Sequence, residues 1–262
     1  MYDFQYQSAS SLADAKGKMG AAEDGRYLAG GMTLIPVLKQ RLDKPTDVVD
    51  LGGLGELRGI AEENGAIVIK ALTVHHDVNT SDLVKEKIPA LAELAGTVGD
   101  PMVRNRGTLG GSLANNDPAA SYPSAVLALN ATIHTDQRTI AADDFFLAMF
   151  ETALGDGEII TQVSFPIPET AGYRHFPNPA SRYPIVGAFV AKTGDGPRVA
   201  ITGAGGTVFR IEEMEAALAK NYAPDAIAGI TYPDKDLNAD IHASAEYRAH
   251  LIGVMAKRAL GG

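Results

Sequence analysis

Apolar positions along the chain switch between helical and strand-like spacing, and glycines mark several of the switches. From Ser8 to Met19 the residues Leu12, Ala15 and Met19 recur at helical spacing. Residues 26–29 form a short strand-like run that ends at Gly30-Gly31. From Thr33 the spacing is helical again. Thr33 is placed to cap, Pro36 falls in the first turn where its missing N–H does no harm, and Leu34, Leu38 and Leu42 form a stripe. Strands are expected at 47–51, where Gly52 and Gly53 end the run, and at 66–72. "SDLVKEKIPALAELAG" (81–96) has the pattern of a helix capped by Ser81 and interrupted at Pro89. Asp117-Pro118 has the form of an N-cap and first position of a helix running to about Leu129. Residues 131–135 and 158–166 are strand-like. Pro166, Pro168, Pro177, Pro179 and Pro184 punctuate the stretch from 166 to 184 and place a domain boundary near 168. Beyond it come strands at 185–193 and 198–205 and helices at 211–220 and 244–260. The expected fold class is α+β.

Composition narrows the function classes. The chain has 262 residues and a formal net charge of −9, which argues against a non-specific nucleic-acid binder. It has no cysteine. Disulfides, a cysteine nucleophile and a thiolate-ligated iron–sulfur or zinc site in this chain are therefore excluded. Its first residues, "MYDFQYQSASSLADA", carry no basic and apolar leader pattern, and no run of apolar residues is long enough to span a membrane. The expected setting is cytoplasmic.

Two glycine-rich stretches carry the chemistry. In "YLAGGMTLIP" (27–36) a strand, two glycines and a helix start are adjacent. That order can hold an anion, because exposed N–H groups point out of the turn and glycine allows close approach to the backbone. Taken alone, a plain strand-to-helix turn explains it better. "RGTLGGSLANND" (106–117) sets Gly107, Gly110 and Gly111 among Thr108, Ser112, Asn115 and Asn116. It is expected to be a second backbone-rich loop, suited to a diphosphate held without a lysine. It is not a Walker A loop, and it does not match the Gly-x-Gly-x-x-Gly fingerprint. Together the two stretches suggest one large anionic cofactor gripped from two sides.

Other candidates have bland readings. Arg104 and Arg106 either complement a phosphate or pin their own loop, with the second reading slightly ahead. His75 and His76 are expected on a strand, pointing to opposite faces, one packed and one exposed. Asp143-Asp144 suggests a helix cap, Glu212, Glu213 and Glu215 a solvated helix face, and Gly203–Gly206 a loop turn. Tyr183 either lies over a planar ring or packs in a core.

"AGGMTLIPVLKQRLDKPTDVVDL" and "GDPMVRNRGTLGGSLANNDPAASYP" resemble the two flavin segments of the FAD-binding medium subunit of the molybdenum hydroxylases, the carbon monoxide dehydrogenase and xanthine dehydrogenase family. The resemblance is clear over residues 1–190 and general beyond. It implies an FAD-binding domain of the vanillyl-alcohol-oxidase (PCMH) type in two α+β lobes (about 1–56 and 57–168), plus a smaller C-terminal α+β domain (169–262). It implies non-covalent FAD, with the molybdenum cofactor and 2Fe–2S clusters on partner subunits. Those partners would be an iron–sulfur small subunit and a molybdenum large subunit, as a dimer of heterotrimers. Carried over by position, Ala29, Gly30, Gly31, Met32, Thr33 and Leu34 cradle the FAD diphosphate. Thr97, Gly107, Thr108, Gly110, Gly111, Ser112 and Asn115 line the second side, with Asp117 or Ser121 toward the ribose. Ile160 packs on the cofactor, and Tyr183 lies near the isoalloxazine, with His175 in the same region. Met32, Ser121 and His175 replace the histidine, aspartate and lysine frequent in relatives. A self-contained FAD oxidoreductase of the same fold, and a non-catalytic assembly subunit with a decayed flavin site, stay open as alternatives.

Overall fold

The computed structural model describes residues 1–261. A small parallel sheet comes first. β1 (Gln5–Ser8) is followed by α1 (Leu12–Ala21), β2 (Gly25–Leu28), α2 (Leu34–Lys39) and β3 (Asp47–Asp50), with β3 central between β1 and β2. β1 has no counterpart among the expected strands. Ser8 belongs to it, and α1 begins only after Ser11, whose hydroxyl accepts from Asp14 N at 3.1 Å. Thr33 stands at the start of α2 but makes no side-chain cap. Arg41 turns into the left-handed region (φ 62°) just past the end of α2, so Leu42 falls outside the helix and is 73% exposed. Of the predicted stripe, Leu38 alone is fully buried. Ala9, Ala15, Val49, Leu51, Leu54 and Leu57 form a compact core around β3.

The second layer is an antiparallel sheet with a helical face. It comprises β4 (Ile60–Glu63), β5 (Ala66–Lys70), α3 (His75–Thr80), α4 (Asp82–Lys87), α5 (Pro89–Thr97), α6 (Pro101–Arg104), α7 (Leu109–Asn115), α8 (Tyr122–Ala128), β6 (Thr132–Thr135), β7 (Thr139–Ala141), α9 (Ala142–Phe145), the small hairpin β8 (Phe146–Ala148) and β9 (Glu151–Thr152), and β10 (Ile160–Pro166). Its strand order is β4-β5-β10-β6-β7. The segment 81–96 splits into α4 and α5, because Pro89 cannot continue a helix but fits the first position of the next one. His75 and His76 open a helix rather than lying on a strand. Successive helical positions diverge too, so His75 is buried and His76 exposed.

Three further expectations are corrected. The stretch 109–115 is a helix, with Gly110 and Gly111 inside its first turn, rather than a loop. Asp117-Pro118 does not start a helix. The Asp117 carboxylate accepts from Ala119 N at 2.8 Å, which holds a turn, and α8 starts at Tyr122. Asp143 does not cap α9, which follows Ala141. Its carboxylate meets Arg198 at 2.5 Å and Arg210 at 3.3 Å.

The third sheet is antiparallel, in the order β11 (Thr170–Pro177), β12 (Pro184–Thr193), β13 (Gly196–Thr202) and β14 (Phe209–Arg210), followed by α10 (Glu212–Lys220) and α11 (Ala245–Ala259). Both its faces are covered. Tyr173, Phe189, Ala191 and Ala200 join the core of the second layer, while Val186, Ala188, Val190, Val199 and Ile201 pack toward α10 and α11. This two-sided burial explains the unbroken apolar run of β12. Glu215 is buried rather than solvated. Its carboxylate accepts from Val199 N and Arg210 Nε, each at 2.9 Å. No helix among the described residues is long and apolar enough to cross a membrane.

Candidate functional site

A cavity of about 480 Å³ opens where the first two layers meet, and its mouth reaches the turn before β12. Two elements form its opposing walls: the β2–α2 connection, Ala29 to Leu34, and the start of α7 with the residues before it.

The two walls touch through backbone. A Cβ at Gly30 would overlap the Arg106 carbonyl and come within 2.9 Å of Gly107 Cα. Gly30 is therefore required by protein packing. Gly31 is required by conformation, since its φ is +76°. From Gly30 to Leu34 none of the backbone N–H groups is hydrogen-bonded within the protein among the described residues. Gly31 at positive φ and helical backbone at Thr33 turn the chain here, and its N–H groups are left for a ligand such as an anion.

The second wall differs in kind. Most of its N–H groups are spent on the fold: Gly107 N on Val103 O (2.7 Å), Leu109 N on Thr73 O (3.1 Å), Gly110 N on Ala71 O (2.8 Å), Gly111 N on Thr108 Oγ1 (3.2 Å) and Ser112 N on Thr108 O (3.0 Å), while Thr108 N finds no partner among the described residues. What it offers the cavity is therefore mainly side chains, the hydroxyls of Thr108 and Ser112 and the amide of Asn115, with the single N–H of Thr108. Of the expected backbone-rich loop with hydroxyl and amide donors, the hydroxyl and amide groups and the Thr108 N–H are left for a ligand, and the other N–H groups from 107 to 112 are not.

The segment 117–121 is gripped from the third sheet. Thr202 Oγ1 donates to Ala120 O at 2.6 Å, Gly203 N donates to Pro118 O at 2.8 Å, and Tyr173 Oη donates to Ser121 Oγ at 3.1 Å. Burial raises the Tyr173 phenol, so it is protonated throughout the physiological range.

Comparisons with known proteins place this geometry. The sequence profile of the family described as FAD binding domain in molybdopterin dehydrogenase matches residues 2–168. The chain belongs to this family. It is 33% identical to the carbon monoxide dehydrogenase medium chain of Hydrogenophaga pseudoflava, over 98% of this chain and 96% of that one. It is 34% identical to the nicotine 6-hydroxylase medium subunit of Paenarthrobacter nicotinovorans, over 98% and 95%. Among solved structures it superposes on the carbon monoxide dehydrogenase of Oligotropha carboxidovorans with a TM-score of 0.90 at 32% identity, covering 99% of this chain and 96% of that chain. It superposes on quinoline 2-oxidoreductase of Pseudomonas putida 86 with a TM-score of 0.89 at 27% identity, covering 98% and 95%. The chain is thus an FAD-binding subunit of the oxidoreductase type, with the PCMH-type fold.

Within this family fold, the residues singled out from the sequence gather closely. Ala29 to Leu34, Thr97, Gly107, Thr108, Gly110, Gly111, Ser112, Asn115, Asp117, Ser121, Ile160 and Tyr183 all line the cavity. His175 does not. It lies in an adjoining depression, its ring stacked at 5.5 Å on Tyr173, and burial lowers its pKa. Tyr183 stands at the mouth, 46% exposed. Arg104 pins its own loop, donating from Nη1 to the carbonyls of Val98 and Gly99 at 3.2 and 3.0 Å.

Sequence reasoning misses His75. Its backbone N–H donates to Gly107 O at 3.0 Å, its ring packs against Gly107 and lies 5.2 Å from Tyr122, and it lines the cavity. Burial, with Arg104 adding to it, pushes its pKa down to about 4, so the imidazole is neutral at pH 7. A signal exists in the turn after a strand, with Asp77 in a first helical turn, but strand spacing extended through 75–76 hides it.

Proposed function

We propose that this chain is the FAD-binding, electron-transferring subunit of a molybdenum-containing hydroxylase or dehydrogenase complex. One observation carries the cofactor assignment. The run of free N–H groups from Gly30 to Leu34 lines a cavity whose opposite wall supplies hydroxyl and amide groups. Such a wall suits a diphosphate, and its partner wall suits the neighbouring sugar hydroxyls.

Bound FAD supplies the capacity to take up electrons and pass them on. The chain's own residues bind and orient it. Gly30 to Leu34 receive the diphosphate, and Thr108, Ser112 and Asn115 close on it from α7. Asp117 or Ser121 faces the ribose, Ile160 gives an apolar wall, and Tyr183 stands beside the planar ring. The chain holds no cysteine, and His75, the histidine that lines the cavity, is buried against Gly107 and Tyr122, which supports non-covalent FAD. The same lack of cysteine leaves no thiolate here to ligate a 2Fe–2S cluster. Clusters and molybdenum cofactor then belong to an iron–sulfur small subunit and a molybdenum large subunit, assembled as a dimer of heterotrimers. Relatives that are medium chains or complex subunits support this. The setting is the cytoplasm.

The test is the visible spectrum of the purified chain, with the supernatant assayed for FAD after denaturation. A flavin spectrum with FAD released into solution is expected. A colourless chain that takes up no added FAD refutes the assignment.

A further inference from the structure

The chain carries seven methionines and no cysteine, so an oxidant that attacks sulfur meets only thioethers. Met214 and Met255 are fully buried, and Met19 is half-buried against Gly25. Met1, Met102 and Met149 are exposed and lie outside the cavity. Met32 differs from all six. It lines the cavity and is 40% exposed, so its sulfur is open to a small oxidant at the place where the backbone is open to an anion.

Met32 is also the middle residue of the run from Gly30 to Leu34, whose N–H groups have no partner among the described residues. Thr33 makes no side-chain cap at the start of α2, so its hydroxyl does not take up these donors. Reduced Met32 does not take them up either, because a thioether is a weak acceptor. Oxidation changes that. The sulfur takes one oxygen atom from hydrogen peroxide: an S–O bond forms as the O–O bond breaks, two electrons leave the sulfur, and the other oxygen departs as water. The product is a polar sulfoxide whose oxygen only accepts hydrogen bonds, as phosphate oxygens do.

We propose that Met32 is a reversible oxidation site that controls FAD uptake, its sulfoxide oxygen folding back onto N–H groups that otherwise receive the diphosphate. The unbranched side chain, with three rotatable bonds, has the freedom to do so. The sulfoxide oxygen also sets partial negative charge beside a dianion. Both effects act against the diphosphate. Neither acts on the fold, because Met32 belongs to none of the three buried cores. The proposal rests on the reading of this run as the diphosphate site of FAD.

The test treats the FAD-free full chain with hydrogen peroxide for graded times. Sulfoxide at each methionine is mapped by mass spectrometry, and the FAD dissociation constant is read from flavin fluorescence. The loss of affinity should follow the sulfoxide fraction at Met32 and reach at least about tenfold, the effect of one hydrogen bond to a charged group. It should reverse when methionine sulfoxide reductases remove the oxygen. The double variant Met102→Leu, Met149→Leu should respond to peroxide as the parent chain does. Met32→Leu, compared with itself before and after peroxide, should not respond. Met32 left unoxidised while Met102 and Met149 are oxidised, full FAD affinity with Met32 oxidised, a response that persists in Met32→Leu, or one that the reductases do not reverse each overturns the proposal. An untreated chain that takes up no FAD fails the cofactor reading and this proposal with it. FAD uptake that peroxide leaves unchanged fails this proposal alone.

Discussion

Gly30→Ala tests how the two walls of the cavity are joined. The added methyl would overlap the Arg106 carbonyl oxygen, lie 2.7 Å from its carbon and 2.9 Å from Gly107 Cα. All three atoms are backbone, so no side-chain rotation relieves the contact and the walls must move apart. Overpacking of this kind costs about 2 kcal/mol. If the cost falls on the arrangement that binds FAD, affinity drops by about thirtyfold. The assay is the FAD dissociation constant from flavin fluorescence, with thermal unfolding of the FAD-free chain measured in parallel. Gly17→Ala is the control. Gly17 lies in α1 with nothing within 4 Å of a built Cβ, so alanine there should stabilise the fold by about 0.5–1 kcal/mol and leave FAD binding alone. Gly30→Ala with unchanged FAD affinity and unchanged stability would refute the backbone contact between the walls.

Gly111→Val should abolish FAD retention, because the new side chain starts 2.9 Å from Thr108 Oγ1 and points toward Ala29 across the gap between the walls; stoichiometric FAD in the purified variant would contradict this. Tyr173→Phe removes the hydrogen bond to Ser121 Oγ and should lower stability by about 1 kcal/mol in chemical denaturation, with weaker FAD binding as the grip on 117–121 loosens. The lowered pKa of His75 gives a pH dependence. The unfolded chain binds a proton near pH 6.5 and the folded chain only near 4, so stability is complete above pH 6.5 and falls as pH drops toward 4. The loss should approach roughly 3 kcal/mol. His75→Asn should remove this part of the slope in denaturation curves taken from pH 7 to pH 4, and an unchanged slope would contradict the burial of a neutral imidazole.

The sequence determined much of this site through local rules. Glycine pairs at strand-to-helix switches, a proline that splits 81–96, and hydroxyl and amide residues interleaved with Gly107, Gly110 and Gly111 are all visible within short windows. They were enough to mark the two walls, while Thr97, Asp117, Ser121 and Ile160 were named through the family resemblance. Local rules could not say which hydrogen-bonding groups are left over. The N–H groups of 107–112, apart from that of Thr108, are consumed partly by Ala71, Thr73 and Val103, whose positions depend on the whole second layer, whereas those of 30–34 find no partner among the described residues. The same reason hid the two roles of Asp143 and Glu215. Asp143 reads as a helix cap along the chain and meets Arg198 and Arg210 only when the third sheet folds against the second layer, while Glu215 reads as solvated and is buried when α10 packs on β13 and its carboxylate meets Val199 N and Arg210. Propensity and spacing act over a few residues, while the satisfaction of polar groups is settled by neighbours distant in sequence, so the two glycine stretches could be marked in advance and the groups each leaves free for a ligand could not.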